Sequence, residues 1–298
     1  MNKTGKSASV RTYLQLGKFS VIIPVSITAF TGFFLFNPVP DPRILLVSFG
    51  VLLQGLAASA LNQLLEIPVD ARMNRTMNRP LPSGKISRLQ AALFVGFSLI
   101  SGSLLIYLGG NFLAMILGII TLVWYNGVYT PLKKITAFAV IPGSLTGALP
   151  PVIGWIAAGG NIADKTSILL AFIFFIGQVP HFWLLILKYG NQYKNAGLPS
   201  LTDIFSIRQI NNLTFIWITA TLISALMLTS FGIIQNKWIN IFLMIMTLAG
   251  VFIFRRLINN EKSDSIKKFF ILLNIYYLIL MILMILDGIL QGSQANGI

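Results

Sequence analysis

Long charge-free apolar runs alternate with short polar connections along most of this chain, and the length of the runs suggests what they are. A helix needs roughly 20 mostly apolar residues to cross the hydrocarbon of a bilayer. Measured against that length, the runs predict nine spanning helices near residues 19–36, 44–65, 89–108, 111–128, 137–158, 166–187, 211–233, 238–254 and 269–288. The stretch Leu89 to Leu132 carries no charge and is too long for one crossing, and Gly109-Gly110-Asn111 supplies the turn that divides it. Pro24, Pro142, Pro150, Pro151 and Pro180 fall inside predicted helices. Neighbouring helices can absorb the carbonyls they free, and the kinks can shape a cavity. The first run, Phe19 to Pro40, is too long for the apolar core of a signal peptide and lacks a small-residue cleavage site, so it reads as an uncleaved first helix.

Composition supports this pattern. The mean hydropathy is +0.80, with 55% apolar and only 10% charged residues in 298, outside the range of ordinary soluble domains. The net charge of +14 invites a nucleic-acid partner, but the basic residues lie between apolar runs rather than on a soluble module, so no nucleic acid is expected. Their distribution reports orientation instead. Nineteen of the 22 Lys and Arg lie in the N-terminal segment and the even-numbered connections, and the other side holds only Arg43, Lys165 and Lys237. This bias predicts a plasma-membrane protein with its N-terminus in the cytoplasm and its C-terminus outside. With no cysteine and a single histidine, thiol chemistry, disulfides and histidine-cluster metal sites are excluded.

Loop length is also lopsided. Residues 66–88 and 188–210 form two connections of about 22 residues each on the cytoplasmic side, where long loops in a compact domain usually carry function. The expectation is one all-α polytopic domain over 1–298, its nine helices surrounding a central cavity that opens to the cytoplasm.

The first of these loops holds the chemistry. Asn62, Glu66 and Asp70 are spaced by four, which stacks three oxygen donors on one helix face if the helix persists. Such a set suits Mg²⁺, a hard cation held by one or two carboxylates plus substrate phosphates. Pro68 interrupts that helix, so Asp70 is expected to reach the metal from a loop. Arg72, Arg75 and Arg79 follow, and their forked donors match phosphate oxygens. The plainer reading is that Asn62 caps a helix and the arginines are ordinary positive-inside residues. Only eight acidic residues exist in the chain, and two of them fall here.

The run N-x-x-x-E-x-x-x-D-x-x-M-x-R-T-x-x-R-P-L, Asn62 to Leu81, resembles the first signature of the UbiA-type intramembrane prenyltransferases. In its M-x-R-T-x-x-R-P form it is similar to the haem-modifying branch of that family. Tyr129-Thr-Pro-Leu-Lys-Lys134, Gly143 to Trp155, Gln178-Val-Pro-His-Phe-Trp183 and Tyr193 to Pro199 agree in order, so the resemblance spans about residues 60 to 200. It implies that Asn62, Glu66 and Asp70 hold Mg²⁺ on the diphosphate of farnesyl diphosphate. Arg72, Arg75, Arg79, Lys133 and Lys188 would neutralise the leaving group. It further implies protohaem IX as acceptor, attacked through a vinyl group, with water capture completing a hydroxyethylfarnesyl side chain. The acceptor pocket would include His181, Tyr129, Trp183 and Tyr193, with Trp124, Tyr125 and Phe182 nearby. His181 itself reads either as a porphyrin contact or as a histidine bonded to the carbonyl freed by Pro180.

The sequence departs from the family in places. Gln192 stands where an acidic residue usually precedes the tyrosine of the second motif; Asp203 is the nearest substitute, or else a capping residue. Glu66 replaces the commoner aspartate, and Ile67 and Pro68 replace polar residues. Other acceptors within the family, a quinone precursor or another tetrapyrrole, stay open. A secondary transporter fits less well, because no charge falls deep in a predicted helix.

Overall fold

All nine apolar runs are helices long and apolar enough to cross a membrane in the computed structural model, which describes residues 9–258 and 263–295 apart from the side chains of 185–188, 191, 263–267 and 293–295. They are α1 (Phe19–Phe36), α2 (Arg43–Leu65), α3 (Arg88–Gly109), α4 (Phe112–Leu132), α5 (Ala137–Ala157), α6 (Lys165–Asn195), α7 (Ile207–Ser230), α8 (Lys237–Ile258) and α9 (Ser263–Ala295). A short helix, Val10–Leu16, precedes them, and no strand occurs among the described residues. Large apolar side chains such as Ile100, Leu248 and Trp238 are exposed, as a lipid-facing surface requires.

Local signals set the ends. Ser87 and Gln90 form a reciprocal cap at the start of α3. Asn111 opens α4 by accepting from the Ala114 N–H at 2.9 Å, and its amide donates to the Ile156 carbonyl at 2.6 Å, tying the predicted turn to the end of α5. α6 departs most from expectation. It runs on through Lys188 to Asn195 and ends at Gly197, whose φ of +74° suits a glycine after a helix C-terminus. The connection predicted for 188–210 therefore shortens to the residues between Asn195 and Ile207. Apolarity marks where a helix leaves the hydrocarbon, not where its hydrogen bonding stops, and the polar turns beyond Leu184 stay helical.

Two apolar cores organise the bundle. One joins α1 to α5 around Phe33, Val47, Ile106, Ile153 and Ile156. The other joins α6 to α9 around Leu170, Leu222, Leu243 and Leu280. α1 and α5 meet at backbone distance: a Cβ on Gly32 would stand 1.9 Å from the Pro151 carbonyl oxygen, and one on Gly154 would stand 1.9 Å from that of Ala29. Small residues allow this approach, and van der Waals packing then holds the helices. Beside this crossing, α1, α2, α4, α5 and α6 enclose a cavity of about 550 Å³ whose charged lining gathers at the end carrying the 66–88 loop.

Because the obstruction at Gly154 is backbone, Gly154→Val is expected to destabilise the protein by at least about 1–3 kcal/mol. Gly96→Ala, at a site with nothing within 4 Å, should leave stability unchanged or slightly raised. Thermal melting in detergent compares the two.

Candidate active site

α2 delivers the first two donors and then breaks. Glu66 leaves helical geometry at φ −114° and ψ 14°, and the chain restarts as the four-residue helix Ile67–Asp70. Pro68 sits in the first turn of that helix, where its missing N–H leaves no bond unmade. The Asp70 N–H donates to the Glu66 carbonyl at 2.8 Å, which locks the offset between the two pieces. Proline thus starts a new helical turn rather than a loop. Asn62, Glu66 and Asp70, each at most 3% exposed, all line the cavity mouth.

Their charges are answered by cations from farther along the chain. The Arg79 guanidinium reaches both Asp70 oxygens at 2.8 and 2.7 Å, and the Lys133 ammonium lies 2.5 Å from Glu66 Oε2. Glu66 Oε1 is buried with no hydrogen-bond partner. Asn62 is held by its amide N–H₂, which donates to Thr130 Oγ1 at 2.9 Å; that hydroxyl in turn donates to the Tyr125 carbonyl at 2.9 Å. The Asn62 carbonyl oxygen is thereby left over. Among the described residues no three His, Cys, Asp or Glu cluster as a ready-made metal site. One orphaned carboxylate oxygen, a second carboxylate and an amide oxygen nonetheless make a donor set that fits Mg²⁺, which takes its remaining ligands from phosphate and water.

α4 ends in a π-helical segment, Trp124–Tyr129, a distortion frequently found at functional sites. It turns Tyr125 and Tyr129 into the cavity with ring centroids 5.4 Å apart. Tyr129 also meets Phe182 at 5.7 Å, and the Lys133 ammonium lies 5.5 Å from its ring centre. The 66–88 loop is joined to the end of α6: the Arg75 N–H donates to Gln192 Oε1 at 3.1 Å, its guanidinium lies 4.8 Å over the Tyr189 ring, and Met73 packs with Ala196 and Leu198 just beyond the helix. Gln192, which stands where the resemblance implies an acid, is therefore a clasp between the last turn of α6 and the 66–88 loop. Burial raises the Tyr193 phenol above its ordinary pKa.

Of the residues singled out in the sequence, Asn62, Glu66, Asp70, Arg75, Arg79, Tyr129, Lys133, His181 and Tyr193 share this one cavity. Others do not. Arg72 is exposed and outside the lining, because the turn after Asp70 points it away. Trp183 is 4% exposed and packs edge-on against Trp217 of α7 at 5.7 Å. Two residues beyond His181 it is rotated roughly 200° around the helix, onto the opposite face. Trp124 donates to the Pro142 carbonyl, outside the lining. Asp203 pairs with Lys194 at 3.2 Å and caps the Ser200 N–H, so it is a loop residue rather than a second metal carboxylate. The Lys188 side chain lies outside the described residues.

Lys18 is the cation that the sequence hid among ordinary positive-inside residues. It is the only described non-glycine residue with positive φ, at 54°, a conformation that costs energy unless the surroundings impose it. Gln63 imposes it from α2 by donating to the Leu16 carbonyl at 2.7 Å, and Gly17 leaves room for Leu56. The Lys18 ammonium lines the mouth together with Arg75, Arg79 and Lys133. Burial, reinforced by Arg79 and Lys133, lowers its pKa to about 7. Burial also lowers that of Lys133, against the opposing pull of Glu66.

Paired acids and clustered cations over an aromatic chamber are what a metal-assisted diphosphate site needs, and comparison with known proteins agrees. The sequence profile of the UbiA prenyltransferase family matches residues 25–278. This chain belongs to the UbiA prenyltransferase family. It is a multi-pass membrane prenyltransferase. A protoheme IX farnesyltransferase from Oleidesulfovibrio alaskensis is 34% identical over 242 residues, covering 81% of this chain and 86% of that one. One from Geobacter sulfurreducens is 41% identical over 195 residues, 63% of this chain and 69% of that one. Among solved UbiA structures, a homologue from Aeropyrum pernix K1 superposes with a TM-score of 0.75 at 17% identity, covering 90% of this chain and 98% of that one. A homologue from Archaeoglobus fulgidus bound to GPP and Mg²⁺ superposes with a TM-score of 0.69 at 18% identity, covering 93% of this chain and 98% of that one. At these identities the structures show that the UbiA fold is shared.

With its pKa near 7, Lys18 is mostly neutral at pH 8 in the free enzyme, and a diphosphate beside it favours the charged form. Binding of a prenyl diphosphate at pH 8 should therefore take up a proton, and at pH 6, where Lys18 is already charged, that uptake should vanish. Calorimetry in buffers of different ionisation enthalpy measures it. Lys18→Met should abolish the uptake and weaken binding, and an undiminished uptake in that variant would refute the role of Lys18.

Proposed function

We propose that this enzyme transfers the farnesyl group of farnesyl diphosphate to a vinyl group of protohaem IX, giving haem O, with Mg²⁺ at the diphosphate. The observation that carries the reading is the mouth of the cavity, where Glu66 and Asp70 are buried against Lys133 and Arg79 directly beside an aromatic chamber in the membrane. The names of the relatives support haem as the acceptor. Charge bias supports a plasma-membrane orientation with the mouth and the N-terminus cytoplasmic.

In the free enzyme the acids and cations satisfy each other. Asn62, Glu66 and Asp70 are the residues whose oxygens would hold the metal, and Arg75, Arg79, Lys133 and Lys18 are those that would face the phosphate oxygens. The metal, once bound, supplies charge neutralisation of the leaving diphosphate. The cations stabilise the negative charge that builds as the allylic C–O bond breaks. Tyr129, stacked on Tyr125 and touching Phe182, offers a π-face to the positive carbon that results. Apolar walls on α1 and α5 keep bulk water from that carbon until the acceptor attacks.

The test supplies the purified enzyme in lipid with protohaem, farnesyl diphosphate and Mg²⁺, and identifies the haems by mass spectrometry. Haem O should form, and Asp70→Asn should lower its rate on the order of a hundredfold or more. No farnesylated haem from the unmodified enzyme would end the haem assignment, leaving a quinone precursor or another tetrapyrrole as acceptors to be assayed next. Full activity in Asp70→Asn would end the metal role.

A further inference from the structure

Among the polar side chains that line the cavity outside the diphosphate machinery, Gln178 and His181 stand together without a hydrogen-bond partner. Gln178 and His181 lie three residues apart on α6, so they project from one face, about one helical turn apart along the axis. Both line the cavity. Thr121 and Thr146, also on its wall, already donate to the Leu117 and Gly143 carbonyls at 2.7 and 2.8 Å. Gln178 and His181 hydrogen-bond to nothing among the described residues. The carbonyl that Pro180 frees, that of Ile176, does not capture the imidazole.

The structure holds both side chains in place by packing. The His181 ring lies 4.3 Å from that of Phe270 and 6.2 Å from that of Phe182, centre to centre. The Gln178 amide lies over Gly147 of α5, where a Cβ would come within 2.6 Å of Cδ and Nε2. A carboxamide and an imidazole left unsatisfied inside a membrane protein are costly. The apolar farnesyl tail offers them no hydrogen bond, whereas a water molecule needs two to four polar partners and would find two here.

The proposed reaction needs such a water. When the terminal carbon of the vinyl group bonds to C1 of the farnesyl group and diphosphate departs, the positive charge moves to the vinyl carbon attached to the porphyrin ring. That carbon then either bonds to water oxygen, with loss of a water proton, or loses a proton from the adjacent CH₂ to leave a double bond. We infer that Gln178 and His181 hold the water that captures this cation, Gln178 orienting it and an unprotonated His181 nitrogen accepting its proton as the C–O bond forms. The pair thereby decides that the product is the alcohol rather than the alkene. The proton later passes to solvent, and no oxidant or reductant enters. This inference rests on the haem reading above.

The readout is the ratio of dehydrated to hydrated farnesyl-haem, two products that differ by one water and separate by mass whatever the total turnover. His181→Ala and Gln178→Leu should each raise that ratio roughly tenfold to a hundredfold, and product from the unmodified enzyme made in ¹⁸O-water should carry the label. His181→Ala making too little product to analyse leaves the decision to Gln178→Leu. An unchanged ratio in the variants that make product, or an unlabelled alcohol, overturns the inference. A common fall of both products in His181→Ala with an unchanged ratio makes that residue a porphyrin contact instead. Absence of any farnesyl-haem from the unmodified enzyme is a different failure, that of the haem reading itself.

Discussion

Burying negative charge at the edge of a membrane is possible only when the charge is matched, and the active end of this protein is organised around that requirement. Glu66 and Asp70 are almost inaccessible, and each is neutralised by a cation, Glu66 by Lys133 from the end of α4 and Asp70 by Arg79 from farther along the same loop. Removing one member of such a pair typically costs about 3–5 kcal/mol, because the remaining charge is left without a partner. The pairs therefore bind the end of α4 to the end of α2 and fold the 66–88 loop back over the cavity. Under the proposed function the same pairs would suit the enzyme to its substrate: a magnesium diphosphate would bring positive charge for the acids and negative charge for the bases, so both sets would change partners with no ion left unmatched.

Placement of those charges depends on local departures from helical regularity. Glu66 breaks α2 and Pro68 restarts it, which turns Asp70 toward Arg79. The π-helical segment of α4 places Tyr125 and Tyr129 side by side and brings Thr130 against Asn62. The left-handed backbone at Lys18 puts an ammonium at the mouth that a regular helix start would have sent elsewhere. Each irregularity is held by neighbours: the Asp70 N–H holds the Glu66 carbonyl, Thr130 holds Asn62, and Gln63 holds the Leu16 carbonyl. Outside the mouth the bundle is conventional, with two apolar cores and a close glycine-mediated crossing of α1 and α5.

Much of this was legible in the residues. Spacing by four brought Asn62, Glu66 and Asp70 together, and the arginines after them pointed to phosphate. Arg72 was indistinguishable from Arg75 and Arg79 in that string, because a turn between helices has no fixed period from which to read direction. Trp183 differs: its offset of two from His181 puts it on the other side of a helix, so helical phase alone could have separated them. Lys18 carried no signal, since a lysine before an apolar run is what membrane orientation produces anyway. Gln192 looked like a missing ligand, and only the fold showed it joining the end of α6 to the 66–88 loop.

By itself the sequence determined the nine crossings and the basic side, because the thickness of the bilayer and the cost of moving charge across it act on each segment separately. Scarce acids beside arginines pointed to a diphosphate site, and the resemblance of that run to a known family, rather than its spacing, indicated the type of chemistry. The tertiary structure decided which cations face the acids, where α6 ends, and which polar side chains are left unsatisfied in the cavity. Those outcomes depend on how helices separated by a hundred residues pack against one another, and no local pattern of residues encodes that relation.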